Sequence, residues 1–525
     1  MININLLNNN GYKWHGNGKA FVKGFIADSN NQQMKEKKLL EYFNSSVSFS
    51  DFMEKAGKAN GLFSVVIEKK DSLWAAIDHT RAFPLFYHIK GDEFYITDNP
   101  DTITKANSIP FLIDEESAIA IACSGFTLYE KTLLKNIFQV QAGEGLCFEN
   151  NSLAKEFHTS FLSNNFNPLS RKELKEQLKN ILEKVAERLI KLLDGRPVAI
   201  PLSGGYDSRL VALMLKKCNY ENVLCYTFGE NSCPERENAK KTAERLGFKH
   251  IFIDYGKYRD FALAKDPLFN DYVNFASNYS AVFSEQQFYA LRELVNIYNI
   301  PPNTVFIPGH SGAVAGDLLT EKMNQSNFSF SDFLLGKVFS YIYLNKKESS
   351  VIRKEIAELD DKTGQYPAFM VYENWRFRET TTKFGYHDSK IFDFFGFEYL
   401  LPLADKILFD FFSHIPFEHK FDKNLYMELL SEQFEEFNIS FQNKELYPSK
   451  HLAKRVAFNS TLKNHIPFLK YFVNIYKNNT TGSRYYSRSF AKELKASGRI
   501  RKKLSINGIF SQWYMMKVRN FIETL

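Results

Sequence analysis

The chain has 525 residues, 44% hydrophobic and 24% charged, with 50 Phe and 27 Tyr, a composition ordinary for a globular protein of two domains. Its net charge of +7 is unevenly spread: residues 441–525 hold 17 basic and 3 acidic residues, net +14, which leaves net −7 for the first 440. Five scattered cysteines without a CxxC pair argue against a disulfide or metal framework; the first residues lack a basic start and an apolar core, and no window is apolar enough to cross a bilayer, so a cytoplasmic protein is expected.

To about Phe161 the pattern is β-rich. Leu62–Lys70, Leu73–Asp78, Pro84–Lys90 and Phe94–Asp98 are short β-branched and aromatic runs separated by turn residues, read as antiparallel strands. Helical patches surround Met34–Phe43 and Glu115–Cys123, and the polar run Ser163–Ser170 reads as a linker. Arg171–Leu193 has apolar residues at helical spacing. The apolar run Val198–Leu202 reads as a buried strand, Ser203-Gly204-Gly205 as a tight turn, and the segment from Asp207 as a helix. A strand at Val223–Thr227, a helix at Arg236–Leu246 and a strand at His250–Asp254 continue the alternation, which implies a parallel sheet with helices on both faces. The stretch Tyr258–Phe441 is mostly helical by pattern. The expected fold class is therefore α/β, with an antiparallel N-terminal domain (1–165), a parallel-sheet domain (170–440) and a basic, aromatic, mostly helical extension (441–525).

The sequence SGGYDS, Ser203 to Ser208, falls at the carboxyl end of a strand, where sites of parallel sheets lie. Glycines admit close backbone approach, and the first N–H groups of a helix lack internal partners at its positive end. Together these make an anion site. The order is neither GxGxxG nor a loop closed by GK[ST]; two hydroxyls and a carboxylate stand there instead, a set suited to a pyrophosphate and a magnesium ion.

SGGYDSRLVAL resembles the pyrophosphatase loop of the N-type ATP pyrophosphatases, the asparagine synthetase group in particular. Further elements match in order: Asn60 to Ser64, Asp78 to Tyr87, Gly125 with Thr127 to Gly145, Tyr226 to Gly229, Glu235 to His250, Tyr399 to Asp405, Ile415-Pro416, and Lys423 to Tyr426. The resemblance implies an Ntn-glutaminase-like first domain followed by an ATP-pyrophosphatase domain. It also shows departures. Glutamine-hydrolysing members begin Met-Cys, whereas Ile2 stands here, so the first domain resembles the glutaminase fold without its nucleophile and is expected to be structural. Where asparagine synthetases have GEGSDE, this chain has Gly309-His310-Ser311-Gly312-Ala313-Val314, with Asp317 nearby as a substitute acid. That form, with Trp375 to Phe384, is similar to relatives from surface-polysaccharide clusters that amidate uronic acids.

The implied reaction is ATP-dependent: a carboxylate is adenylated with release of pyrophosphate, and ammonia or an amine then displaces AMP. Leu202, Ser203, Gly204, Gly205, Asp207, Ser208, Thr227, Phe228 and Gly309 would bind ATP and its pyrophosphate; Asp207 is the expected Mg2+ ligand, with Asp317 a weaker one. Asp207, Lys423, His310 and Lys383 are the candidate catalytic residues, and Ser311 is a candidate substrate contact. For both lysines the alternative is a solvated side chain, for His310 a turn histidine, for Asp317 a helix cap and for Thr227 and Phe228 a packing role. Expected partners are a small-molecule or sugar carboxylate and a nitrogen donor, supplied free or by a separate glutaminase. The basic extension suggests an anionic membrane surface or a diphosphate-linked sugar, with nucleic acid ranked below because Val456–Tyr476 has packing-type apolar spacing; a merely solvated face is the alternative. That extension carries Tyr471, Phe472, Tyr476, Tyr485, Tyr486, Phe490 and Trp513 among its basic residues. A lasso-type peptide macrocyclase and an asparagine synthetase proper are neighbouring enzyme readings, and a non-catalytic nucleotide-binding protein is the reading of another class.

Overall fold

A computed structural model describes residues 1–439, apart from 108, 232, 259–260, 313, 315, 317–318 and 325–327, together with 483–499 and 505–523. The first strands are β1 (Ile2–Asn5), β2 (Trp14–Gly16), β3 (Ala20–Ala27), β4 (Gln33–Lys35), β5 (Gly61–Glu68), β6 (Ser72–Ile77), β7 (Phe86–Lys90), β8 (Glu93–Thr97), β9 (Phe138–Gln139), β10 (Glu144–Glu149) and β11 (Ser152–Phe157). They form two sheets, one in the order β11-β10-β6-β5-β3-β2 with β4 also on β3, the other in the order β1-β8-β7-β9. Pairing is antiparallel except between β1 and β8, which run parallel, a correction to the all-antiparallel expectation.

Alternation along β5 explains the layering. Phe63, Val65 and Ile67 face Leu39, Phe43 and Phe52 of the helices Glu36–Asn44 and Phe49–Lys58, while Val66 faces the other sheet through Tyr87, Phe94 and Ile96. With both faces covered, the strand reads as a continuous apolar run. Ile2 packs into the layer between the sheets.

The expected linker is bound along its length. Asn164 Nδ2 donates to Gln365 O at 2.9 Å, and Asn167 N to His414 O at 2.8 Å. Ser170 and Glu173 then form a capping box on the helix Arg171–Leu193, whose Leu174, Leu178, Leu182, Val185 and Leu189 are buried at helical spacing. The second sheet system is β12 (Val198–Pro201), β13 (Val223–Gly229), β14 (Lys249–Asp254) and β15 (Val305–Phe306), ordered β14-β13-β12-β15 and parallel throughout. The helices Tyr206–Lys217 and Pro234–Leu246 are its crossovers. The fold is thus mixed α/β with a parallel sheet.

One apolar cluster runs from Tyr12 and Phe25 through the parallel-sheet region to Trp513 and Val518. Polar contacts bind the two regions as well: Tyr12 OH donates to Tyr399 O at 2.9 Å, Asn60 Nδ2 donates to Asp405 Oδ1 at 3.0 Å, and Arg188 Nε donates to Asn31 Oδ1 at 3.0 Å. The helices Ser483–Ala496 and Asn507–Glu523 close this core. Phe490 and Trp513 are fully buried, with ring centroids 4.7 Å apart, and belong to the core. Tyr471, Phe472, Tyr476 and the Val456–Tyr476 stretch lie outside the described residues, as do the side chains of Tyr485 and Tyr486. Among the described residues no helix is long and apolar enough to cross a membrane.

Candidate functional site

The turn after β12 is closed by its own hydroxyls. Ser203 Oγ and Ser208 Oγ are 3.0 Å apart, Ser203 N donates to Ser208 Oγ at 3.1 Å, and Gly205 N donates to Ser203 Oγ at 3.1 Å. Gly205 begins the helix Tyr206–Lys217 with extended backbone and no side-chain cap. The start of the next helix, Pro234–Leu246, reaches back to this turn: the Glu235 carboxylate accepts from the Gly204 N–H. Burial pushes that carboxyl upward, and the Gly204 bond opposes the shift.

Asp207 occupies the first turn of the helix and is held at both oxygens. Ser311 Oγ donates to Oδ2 at 2.7 Å, and Tyr426 OH donates to Oδ1 at 2.8 Å. Burial, then the Asp207 charge, raises the Tyr426 hydroxyl well above its ordinary value, so it stays a donor at every working pH. Lys423 Nζ lies 3.5 Å from Ser311 Oγ. Three separate chain segments therefore converge on one carboxylate. They border an open cleft of about 770 Å³ lined by Tyr206, Asp207, Asp422, Lys423, Tyr426 and neighbouring residues.

Two close approaches set this geometry. Gly309 lies against the helix start, where a Cβ would collide with the backbone N and Cα of Ser208. Gly316, at φ +114°, lies against Lys420, where a Cβ would strike the carbonyl oxygen. Its N–H donates to Glu373 Oε1 at 2.6 Å, and Glu373 pairs with the fully buried Lys420 at 2.6 Å. The turn so anchored presents Asp422 and Lys423, both left-handed at φ 53° and 55°. Such backbone costs about 1–2 kcal/mol per non-glycine residue and persists only where surrounding contacts impose it.

The other expected site residues divide. Leu202 is buried; its N–H donates to Tyr226 O at 2.8 Å and its carbonyl accepts from Thr227 Oγ1 at 2.6 Å. Thr227 Oγ1 also lies 2.9 Å from His250 Nε2, and Phe228 stacks on Tyr255 with centroids 5.2 Å apart. The backbone of Leu202 and the side chains of Thr227 and Phe228 therefore lock the strand ends. His310 is next to the cluster but turned to a different set: Nδ1 is 3.2 Å from Ser389 Oγ, and Nε2 is 3.4 Å from Asp388 Oδ2. Burial pushes the Asp388 carboxyl up, but the His310 bond and charge, with Ser284 and Gln287, hold it below its ordinary value. Val314 is fully buried; Ala313 and Asp317 lie outside the described residues.

Lys383 is not brought to the loop. It sits in the π-helix Phe377–Gly385, 1% exposed, and its Nζ donates to Thr127 O and Tyr129 O, both at 2.9 Å, and to Glu379 Oε2 at 2.8 Å. With all three ammonium donors spent on the N-terminal region and on Glu379, it is an inter-region fastening in place of the expected catalytic group.

Sequence reasoning missed Tyr426, Glu235, Asp388 and Ser389 as parts of these clusters. Tyr426 had a signal: it follows Lys423 by three residues at a helix start, which places both on one side. Asp388 and Ser389 had none, because they meet His310 across 78 and 79 residues of chain.

Residues 178–269 match the asparagine synthase family model. The asparagine synthase match takes in the loop, Asp207 and Glu235, and supports an ATP-dependent carbon–nitrogen ligase. No curated protein matches the chain. Similar solved structures include the NH3-dependent NAD synthetase of Campylobacter jejuni (18% identity, 37% of this chain and 78% of that one, TM-score 0.19). The NMN synthetase of Francisella tularensis is another (15% identity, 38% and 77%, TM-score 0.18). The glutamine phosphoribosylpyrophosphate amidotransferase of B. subtilis is a third (9% identity, 67% and 78%, TM-score 0.19). At such low TM-scores these likenesses carry no argument for fold or activity.

Proposed function

We propose that this chain adenylates a carboxylate with ATP, releasing pyrophosphate, and passes the acyl group to ammonia or an amine to form an amide. The observation that carries this reading is the carboxylate of Asp207, fixed by Ser311 and Tyr426 at a helix start beside Lys423 and a wide cleft.

A carboxylate oxygen of the substrate attacks the α-phosphorus, and the bond to the β-phosphate oxygen breaks. Negative charge then grows on the leaving pyrophosphate. The open first turn after Gly205 and the hydroxyls of Ser203 and Ser208 are donors for that charge, already placed before it develops. Lys423 adds a cation at the rim of the same cleft. In the second step nitrogen attacks the acyl carbon, the carbon–oxygen bond to AMP breaks, and AMP leaves with the electron pair.

The donor set fits a magnesium ion carried by ATP. Among the described residues no three metal-type side chains gather as a cage. Asp207 is a single hard-oxygen ligand, and magnesium takes one or two carboxylates while keeping phosphates and waters. Asp207 would hold the ion, whose chemistry is to neutralise phosphate charge.

We assign the carboxylate to a uronic acid-type sugar of surface-polysaccharide assembly. The buried Val314, in place of an acid facing an amino-acid substrate, supports a substrate other than free aspartate. The N-terminal sheets are read as a glutaminase-like scaffold without its nucleophile, and nitrogen then comes free or from a separate protein. The domain limits 1–165, 170–440 and 441–525 belong to the same proposal, with the last segment facing an anionic surface.

The test is ATP–pyrophosphate exchange by the full-length protein with glucuronate and galacturonate, among other carboxylates. Asp207→Asn is expected to lower exchange by about 10²-fold or more, the scale of losing one preorganised transition-state contact, without moving the melting temperature. Absence of exchange with every acid tested would overturn the adenylation reading.

A further inference from the structure

A second cavity, of about 200 Å³, has His310 in its wall. Phe283, Phe384 and Phe510 give it apolar sides, and Glu285, His387 and Asp388 give it a polar one. Neither Lys nor Arg lines it among the described residues. Glu285 is 6% exposed, so two carboxylates face a largely apolar space with His310 as the one basic group beside them among the described residues that is not held neutral.

Its polar atoms are incompletely bonded. Asp388 Oδ2 accepts from Gln287 Nε2 at 2.7 Å and faces His310. His387 Nε2 and Ser511 Oγ are buried with no hydrogen-bond partner among the described residues. His387 is 5% exposed and Ser511 1%, and both line the cavity. A buried polar atom left unbonded costs free energy, so such atoms gathered about one cavity point to a ligand that completes them. Two carboxylates against the single imidazole of His310 leave the lining short of positive charge, which favours a cation. The aromatic sides and a volume several times the roughly 30 Å³ share of one water select one with an organic body.

We propose that this cavity binds an organic primary amine in its cationic form through Glu285 and Asp388, and that the amine passes one proton to the Glu285 carboxylate before its nitrogen serves as donor in the amide-forming step. The fate of the amine rests on the adenylation reading; its binding does not. Burial, opposed by a bond from its own backbone N–H and helped by the Asp388 charge, pushes the Glu285 carboxyl up to about 7. Burial likewise pushes His387 down to about 3 and keeps its ring neutral, so His387 does not compete for the acids.

The experiment is isothermal titration of the full-length protein, without ATP, using benzylamine, its neutral analogue benzyl alcohol, ammonium chloride and galacturonate. Benzylamine is expected to bind at least tenfold more tightly than benzyl alcohol or ammonium, and galacturonate is expected not to displace it. Glu285→Gln and Asp388→Asn should each weaken benzylamine at least tenfold. If Glu285→Gln fails to fold, Asp388→Asn decides. Failure of benzylamine to bind, equal binding of the alcohol or of ammonium, displacement by galacturonate, or unchanged binding in the variants overturns the assignment. Amine binding together with absent exchange would strike the adenylation reading alone.

Discussion

Gly309 shows how one missing side chain positions the site. Its Cα lies where a methyl group would meet the Ser208 backbone, so only glycine lets the segment carrying His310 and Ser311 reach Asp207. Gly309→Ala should separate Ser311 from Asp207 and lower ATP–pyrophosphate exchange at least tenfold; exchange within twofold of the wild type would show that this approach is unimportant. At this scale the sequence was legible where chemistry and turn share a run, as in Ser203 to Ser208. It was illegible where a partner comes from afar. Tyr426 meets Asp207 across 219 residues, and Asp388 meets His310 across 78. No local spacing records either contact.

Among the elements, the π-helix Phe377–Gly385 fastens the two regions through Lys383 and Glu379, which are 1% and 2% exposed at their side chains. Glu379 also accepts from Tyr129 N at 3.2 Å. Removing one partner of a buried pair leaves the other charged and unpaired, so Lys383→Ala should cost about 3–5 kcal/mol in urea denaturation. Glu379→Gln with Lys383→Met should recover part of that loss and keep pyrophosphate exchange within a few-fold of the wild type. A stable double variant without exchange would return Lys383 to catalysis. The parallel-sheet elements were readable because their apolar runs alternate with well-marked helices. The helix Arg171–Leu193 begins at the expected residue because its capping box is written in consecutive residues. Strands such as β1 and β11 were not readable: β1 is only half-buried at best and Asn-rich, and β11 is an exposed edge with the sequence SLAKEF. The π form of Phe377–Gly385 left no mark in the spacing.

Among the described residues the largest apolar cluster spans both regions, and polar seams between them are buried too. Arg81 is 3% exposed, and its Nη2 donates to Gln139 Oε1 at 2.6 Å and to Ser280 Oγ at 3.0 Å. Burial pushes its guanidinium down to about 10, against an opposing pull from Glu379. His79 Nε2 bonds Ala404 O at 2.7 Å in the same way. A fragment of residues 1–165 would expose these groups and Tyr12, Phe25, Phe83 and Ile121 of the shared cluster. Produced alone it should aggregate or melt without a cooperative transition, and produced with residues 166–525 it should associate and be recovered soluble. A soluble, cooperatively melting 1–165 fragment would show that the core is divisible. Composition and pattern revealed the two kinds of sheet but not that Tyr12, Phe25, Leu62 and Phe83 of the first region join the core of the second, since an apolar residue does not record which surface it faces.

The clamp on Asp207 has a kinetic meaning. Its donors arrive from Ser311 and Tyr426, 104 and 219 residues along the chain, and the Lys423 turn waits on Lys420 and Glu373. Contacts of such separation bear the largest loop-closure entropy and form late. The nucleotide loop can therefore be folded and helical while still chemically incomplete. Competence for catalysis belongs to the last stage of folding, when residues beyond 420 dock, and a nascent chain shorter than that would leave ATP intact.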